Sequence, residues 1–363
     1  MNVPLIDLTA QYRTIRSEIQ DALNHVLEQQ QFILGPEVAS LESETAKYCG
    51  TNFAIGCASG TDAILLALIA LGIGTGDEVI TTAFSFFSTA GMISWVGAKP
   101  AFVDIDPVSF NLRTDQVAKK ITPNTKAIIA VHLFGQCCRM EELQRYGIPV
   151  IEDAAQSIGA KRNDIKAGNL GVLGCFSFFP TKNLGAYGDG GLITTNDEKL
   201  ADSLRQLRVH GQSSQRYLHH RIGTNSRLDE LQAAVLRVKF KYLDEWNAKR
   251  AKNAQFYHHM LKGLPLELPT ADSANYHIYH QFVIRTENRD QLKTHLTNQG
   301  IGSAIYYPLP LPMQPCFEAL NNSAADFPDA DRTSKTCLAL PIYPELTPQQ
   351  LELVVSAIRS FYR

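Results

Sequence analysis

Five short runs, near residues 53–57, 78–82, 100–104, 126–132 and 149–152, are apolar on both of their faces. A strand with one wet face alternates; one that is apolar throughout is buried between layers, as in a parallel sheet covered by helices on both sides. Helix-like stretches near 61–71, 86–97 and 138–146 lie between these runs. The repeated strand–turn–helix rhythm predicts an α/β three-layer sandwich with a mostly parallel central sheet. Two further runs follow at 172–179 and 190–195. Gly188-Asp189-Gly190 before the second suits a hairpin-like return. Beyond them the pattern predicts one long helix over 228–261, closed by Gly263 and Pro265. A strand near 277–284, a helix near 289–299, a Pro-rich loop over 308–315 and a last helix after Pro348 complete a smaller α+β unit. The expected division is therefore a large domain over 1–245 and a small one over 246–363. The opening helix, near 11–30, is expected to pack on the small domain.

Lys and Arg number 34 against 36 Asp and Glu, a net charge of −2, so no positive field draws the chain to nucleic acid. The longest apolar run, AILLALIALGIG from Ala63, falls short of a membrane span, and the first residues show no basic-then-apolar leader. The seven cysteines form no CxxC pair and several lie in apolar runs, which reads as free thiols in a reducing compartment, the cytoplasm. Adjacent Cys137 and Cys138 lack chelating spacing, and the His219-His220 and His258-His259 pairs have no carboxylate four residues on. No metal is expected.

Four motifs sit where strands give way to loops or helices, which is where open α/β sheets place ligands. Ala58-Ser59-Gly60-Thr61-Asp62 at a helix start suits an anion cradle, although such residues also serve as plain helix caps. Glu152-Asp153 closes an apolar strand, and a carboxylate there is costly to bury unless it meets a cation. Lys182 follows the aromatic strand Phe176-Ser177-Phe178-Phe179 and precedes a Gly-rich stretch; an amine in that apolar setting can act as a neutral nucleophile. Ser177 shares a face with Phe179, so its hydroxyl can serve a phosphate. Asn225, Ser226 and Arg227 offer donors for an anion, and helix capping explains Ser226 equally well. His132, at the end of a strand, reads either as a neighbour of cofactor or substrate or as a satisfied core histidine.

In this order and spacing, CASGTDA, EDAAQS, SFFPTKNLG with GDGG, and GTNSRLDELQAA resemble the sugar-nucleotide aminotransferases of the DegT/DnrJ/EryC1/StrS type. These use pyridoxal 5′-phosphate and have the fold type I aspartate aminotransferase architecture. The resemblance runs from ILGPEV near residue 33 to YYPLPLPMQP at 306–315. It implies that Lys182 bonds the cofactor aldehyde and, once released, moves a proton between substrate carbon and cofactor. Asp153 would pair with the pyridine nitrogen, which makes the ring an electron sink. Gln156 would hold the ring hydroxyl, Phe86 would stack on the ring, and Gly60, Thr61 and Ser177 would hold the phosphate. Asn225 would reach that phosphate from the partner subunit of a homodimer with shared active sites. Lys182 and Asp153 lie 29 residues apart on two runs of one sheet, so both can meet one ring. Relatives that dehydrate their substrate carry histidine at the lysine position, and Lys182 excludes that variant. His132, Arg227, Tyr306 and Tyr307 are the expected substrate contacts.

The implied reaction is ping-pong. L-glutamate leaves its nitrogen as pyridoxamine 5′-phosphate and departs as 2-oxoglutarate; a nucleotide-linked keto-sugar then takes the nitrogen. Pro312 stands where relatives often carry histidine, in the loop near the sugar-nucleotide. Arg208-Val209-His210-Gly211-Gln212, with Tyr217, His219 and His220, resembles enzymes that aminate C3. The expected substrate is a UDP-linked 3-keto N-acetylhexosamine or its uronic acid. A dTDP-linked 3-keto-6-deoxyhexose and then a 4-keto-sugar are the alternatives. A non-catalytic regulator or structural dimer of the same fold is the reading of another class, and it would not need an amine at position 182.

Overall fold

The alternation along β-runs decides which layer each side chain enters. The computed structural model describes residues 2–213, Gln215 and residues 217–363. Its main sheet contains β1 (Phe53–Cys57), β2 (Glu78–Thr82), β3 (Lys99–Val103), β4 (Thr125–Val131), β5 (Val150–Asp153), β6 (Leu173–Ser177) and β7 (Gly191–Thr195). Their order is β1-β7-β6-β5-β4-β2-β3. Neighbours are parallel except β7, which runs antiparallel to both β1 and β6. The hairpin-like return expected before residue 191 is thus an antiparallel strand slotted between two parallel ones.

The helices, in chain order, are α1 (Leu8–Gln29), α2 (Pro36–Cys49), α3 (Gly60–Ala70), α4 (Ser88–Trp95), α5 (Met140–Gln144), α6 (Glu198–Leu207), α7 (Glu230–Phe240), α8 (Leu243–Leu261), α9 (Arg289–Asn298), α10 (Pro328–Thr336) and α11 (Pro348–Phe361). Ile128 and Ala130 of β4 pack with Leu41 of α2 and Leu236 of α7 on one side of the sheet. Ala127 and Ile129 pack with Leu66 of α3 and Leu204 of α6 on the other. Both faces of the strand are dry, which is the reason for its unbroken apolar run. This is the three-layer α/β architecture that the sequence predicts.

Beyond the sheet, β8 (Phe282–Arg285) pairs antiparallel with β9 (Cys337–Leu340). Tyr257 and Leu261 of α8, Leu296 of α9, and Val354 and Ile358 of α11 close a separate core around that pair. Three expectations change here. The helix expected over 228–261 is two, broken at Lys241 and Tyr242, where no Gly or Pro marks the break. The strand expected from residue 277 begins only at Phe282, because 278–281 crosses the strand-end loop instead: Ile278 N donates to Gly135 O and Gln281 N to Phe134 O. Helix α1 packs on α7 and the start of α8, through Ile15, Ile19, Val235, Val238 and Trp246. The contact with the C-terminal core is made by the extended residues before α1, where Val3 bridges Ile301. Cys316 is exposed and the other six cysteines are buried, all of them free. Among the described residues no helix is long and apolar enough to cross a membrane.

Candidate active site

Because β1, β4, β5 and β6 run parallel and β7 runs back, the segments after Cys57, Val131, Asp153 and Ser177 and the one before Gly191 meet at one edge of the sheet. A cavity of about 530 Å³ opens there. Its wall brings together Gly60, Thr61, Phe86, Asp153, Gln156, Ser177, Lys182, Tyr306 and Tyr307 of the expected site residues.

Consecutive residues on β5 point to opposite faces, so the two acids of Glu152-Asp153 part company. Asp153 faces the cavity, where its carboxylate accepts from Thr89 Oγ1 at 2.6 Å and from Ala155 N at 3.2 Å. Burial raises its pKa above the ordinary carboxylate range, against the lowering by those hydrogen bonds and by the nearby charge of Lys182. Glu152 faces inward and is fully buried. Its Oε1 accepts from Leu170 N and Gly171 N, each at 2.7 Å, and its Oε2 accepts from Gly168 N at 2.7 Å. His132 Nε2 donates to the same Oε2 at 2.9 Å, while Nδ1 takes the Cys138 N–H at 3.1 Å. Both ring nitrogens are thereby used, and His132 stands behind Asp153 instead of on the cavity wall. Of its two readings the structure favours the satisfied core histidine, fully buried and off the cavity wall.

Lys182 sits on the loop between β6 and β7, half-buried, with its N–H closing a turn to Phe179 O. Burial brings its pKa down from 10.5 to about 8, although the Asp153 carboxylate pulls the other way. The loop is held from behind by Lys239 of α7, a buried ammonium that donates to Gly185 O at 2.6 Å and lies 4.3 Å from the centre of the Tyr187 ring. Nothing in the sequence sets Lys239 apart from Lys241, two residues on and exposed.

At the start of α3, the Ser59 hydroxyl takes the Asp62 N–H at 3.0 Å and the Ser59 carbonyl takes that of Ala63. The N–H groups of Gly60 and Thr61 are left for a ligand, at the positive end of the helix. Gly60 is forced by contact: a Cβ there would stand 2.5 Å from the Ser177 Cβ. Ser226 is not the cap of α7, whose N-cap is Asp229. Its buried hydroxyl donates to Asp62 Oδ2 at 2.6 Å and accepts from Ala58 N at 3.1 Å, which clamps the loop over 223–229 to the base of α3. Asn225 and Arg227 flank this clamp, and neither lies on the cavity wall formed by this chain.

Of the three phenylalanines over 84–87, Phe84 is buried, Phe87 stacks on Phe317, and Phe86 is the one on the cavity. Its ring lies 6.3 Å from that of Tyr307. Gln156 Oε1 accepts from Phe134 N at 2.7 Å, and its Nε2 donates to the Tyr307 hydroxyl at 3.1 Å. Thr89 and His280 matter to this geometry and carry no clear sequence signal; Thr89 stands only as the second residue of α4, just behind the phenylalanines over 84–87.

The sequence model described as the DegT/DnrJ/EryC1/StrS aminotransferase family matches residues 13–359. A "pleiotropic regulatory protein" of Geobacillus stearothermophilus is 50% identical over 370 residues, covering 100% of this chain and 99% of that one. A UDP-N-acetyl-3-dehydro-alpha-D-glucosamine 3-aminotransferase of Acidithiobacillus ferrooxidans is 45% identical over 361 residues, covering 98% and 97%. A dTDP-3-amino-3,4,6-trideoxy-alpha-D-glucose transaminase of Streptomyces venezuelae is 41% identical over 366 residues, covering 99% and 96%. The crystal structure of S. venezuelae DesV superposes with a TM-score of 0.97 at 40% identity, covering 100% of this chain and 99% of that one.

Proposed function

From the premise that the chain belongs to the DegT/DnrJ/EryC1/StrS aminotransferase family, and so is a sugar aminotransferase working with pyridoxal 5′-phosphate, we propose that it moves the amino group of L-glutamate to C3 of a UDP-linked 3-keto N-acetylhexosamine or its uronic acid. The observation that carries the chemistry is the pairing, across one cavity, of a buried Asp153 with an amine of lowered pKa, Lys182. The UDP-linked sugar is supported by the relative at 45% identity, and the relative at 41% supports the dTDP-linked 3-keto-sugar as a second reading.

The residues fit the cofactor. A phosphate suits the free N–H groups of Gly60 and Thr61 beside the Ser177 hydroxyl, where a Cβ on residue 60 would intrude. A protonated ring nitrogen suits the buried Asp153 carboxylate, whose hydrogen-bond partners among the described residues are the neutral Thr89 hydroxyl and the Ala155 N–H. When bound, pyridoxal 5′-phosphate supplies an aldehyde that captures an amine and a ring that draws off the electron pair released at the amino carbon. Asp153, oriented by Thr89, keeps the ring nitrogen protonated. Gln156 offers its remaining amide hydrogen to the ring hydroxyl, and Phe86 covers the ring face. Lys182 Nζ would hold the cofactor, and as a neutral amine it would take the proton from the substrate carbon and return it as an ammonium. Tyr306 and Tyr307 line the substrate side of the cavity. Asn225 and Arg227 act in the partner subunit's site of a homodimer, Asn225 on the phosphate and Arg227 on a substrate carboxylate.

The test is a half-reaction cycle followed by absorbance. Protein loaded with pyridoxal 5′-phosphate is bleached with L-glutamate and then offered UDP- and dTDP-linked 3-keto and 4-keto sugars. Return of the yellow band with a UDP-linked 3-keto sugar is the expected result. Return only with a dTDP-linked or a 4-keto sugar replaces the substrate and keeps the chemistry. A wild-type protein that never turns yellow ends the assignment of Lys182.

A further inference from the structure

The loop that carries Lys182 has two sides. Phe179, Thr181, Lys182 and Asp189 form part of the cavity wall, while Gly185 and Tyr187 rest on α7. The loop is first closed on itself. Phe178 N donates to Gly190 O and Ala186 N to Phe178 O, each at 2.8 Å, and Lys182 N donates to Phe179 O at 2.9 Å. Gly185 crosses the chain so closely that a Cβ there would run into the Pro180 carbonyl oxygen. The segment over 178–190 is thus a compact plug, and its place in the site depends on what it stands on.

It stands on α7 at two points. Gln232 Oε1 accepts from Tyr187 N at 2.8 Å, and Lys239 Nζ donates to Gly185 O at 2.6 Å. Positions 232 and 239 lie about two helical turns apart, so both footholds belong to one face of α7. The helix itself is fixed, at its start by the Glu230 carboxylate on the N–H groups of α2 and along its length by Val235 and Val238 against Ile15 and Ile19 of α1. Lys239 is a costly foot. It is buried, Gly185 O is the one hydrogen-bond acceptor it meets among the described residues, and burial brings its pKa down to about 8 against the pull of Glu345. An apolar side chain of similar length would avoid that cost. What the ammonium alone supplies is a charge-assisted grip on a carbonyl three residues beyond the reacting amine.

We propose that Lys239, with Gln232 on the same face of α7, is a positioning residue: the two hold the plug where the Lys182 amine can bond the cofactor aldehyde, with loss of water. This rests on the reading of Lys182 as the cofactor's amine. The phosphate cradle on α3 and the Asp153 carboxylate on β5 stand apart from the plug, so the cofactor's other holdings do not depend on these two residues.

The experiment strips the full-length protein of cofactor and measures two affinities by equilibrium dialysis. One is for pyridoxal 5′-phosphate, which Lys182 can bond; the other is for pyridoxamine 5′-phosphate, which it cannot. In Lys239→Met the aldehyde form is expected to bind about tenfold more weakly and the amine form within about twofold of wild type, with faster hydrogen exchange over 180–187. Lys239→Arg, which keeps a cationic donor, restores most of the difference. Gln232→Leu removes the other foothold without touching a buried charge. A loss of about threefold, confined to the aldehyde form, is expected there, and this variant carries the test where Lys239→Met does not fold. A wild-type ratio of the two affinities in both variants overturns the proposal. So does an equal loss of both cofactor forms, which marks a merely structural role. A Lys182→Ala protein that binds the aldehyde form as tightly as wild type overturns instead the role of Lys182.

Discussion

Neighbouring acids on β5 are expected to fail in opposite ways when each is neutralised. In Glu152→Gln one carboxylate oxygen becomes an NH2 group. The remaining oxygen can keep the N–H donors of Leu170 and Gly171, or else those of Gly168 and His132, but not both pairs. His132 cannot turn donor into acceptor to help, because its Nδ1 already takes the Cys138 N–H. Two buried donors then face another donor. At roughly 1.5–3 kcal/mol for each charge-assisted hydrogen bond, the loss is about 3–6 kcal/mol. In a chain this long 1 kcal/mol moves the melting temperature by about 2 °C, so the variant melts about 6–12 °C low. Asp153→Asn is different. Its amide oxygen keeps the Ala155 N–H, and the Thr89 hydroxyl can turn to accept from the new NH2 group. The substitution also removes a charge that burial disfavours. The cofactor-free Asn variant is expected to melt within about 2 °C of wild type, a change of about 1 kcal/mol or less, while transamination falls about 10²–10³-fold, as when a preorganised electrostatic partner is removed. Thermal melting of the cofactor-free proteins, with the glutamate half-reaction alongside, decides the matter. Equal melting shifts for the two variants, or a Glu152→Gln protein that melts with wild type, would refute the division of labour between frame and chemistry.

Gly60→Ala places a methyl 2.5 Å from the Ser177 Cβ, so α3 must shift; equilibrium dialysis should show cofactor affinity weakened about tenfold or more, with stability down by roughly 1–3 kcal/mol. Ser226→Ala leaves Asp62 and the Ala58 N–H without their partner, which is expected to cost about 1–3 kcal/mol and to speed hydrogen exchange over 223–229. The depressed Lys182 pKa has a pH signature. With a value of about 8, the rate of cofactor capture rises about tenfold between pH 7 and 9 and then levels, whereas a lysine at 10.5 would give about a hundredfold rise and no plateau. The same shift means the folded protein bears the burial of a charge below pH 8 and sheds it between about 8 and 10.5, so Lys182 adds stability as pH climbs through that window.

The parts of the fold that the sequence discloses are those governed by burial on two sides. Runs such as Ala127-Ile128-Ile129-Ala130 have no other plausible place than between two helical layers, and the structure puts them there. The division of α7 from α8 leaves no such trace, since Lys241 and Tyr242 are ordinary helix residues and the break follows from packing against α1 through Trp246. At the site, Lys182 and Asp153 stand out because each is a costly group in an apolar setting. Groups whose importance lies in whom they meet are silent. Thr89 orients Asp153 from 64 residues away. Glu230, at the start of α7, gathers the N–H groups of Gly35, Glu37 and Val38 at 2.7–2.9 Å, and so caps α2 across almost 200 residues of chain. Ser226 looks like a cap and serves as a clamp.

Helix α8 touches both halves of the molecule. Near its start Asn247 holds Asn183, next to the lysine; three residues on, Arg250 donates to Ile342 O at 2.6 Å and to the carbonyls of Tyr279 and His280 at 3.4 Å; farther along, Tyr257 sits in the C-terminal core. A rigid rod gripped at these points transmits displacement with little loss. Tilting the C-terminal unit by a few degrees as a bulky substrate enters would swing the wall residue His280 together with the loop that carries the amine. The two would keep their spacing while the cavity around them changes shape.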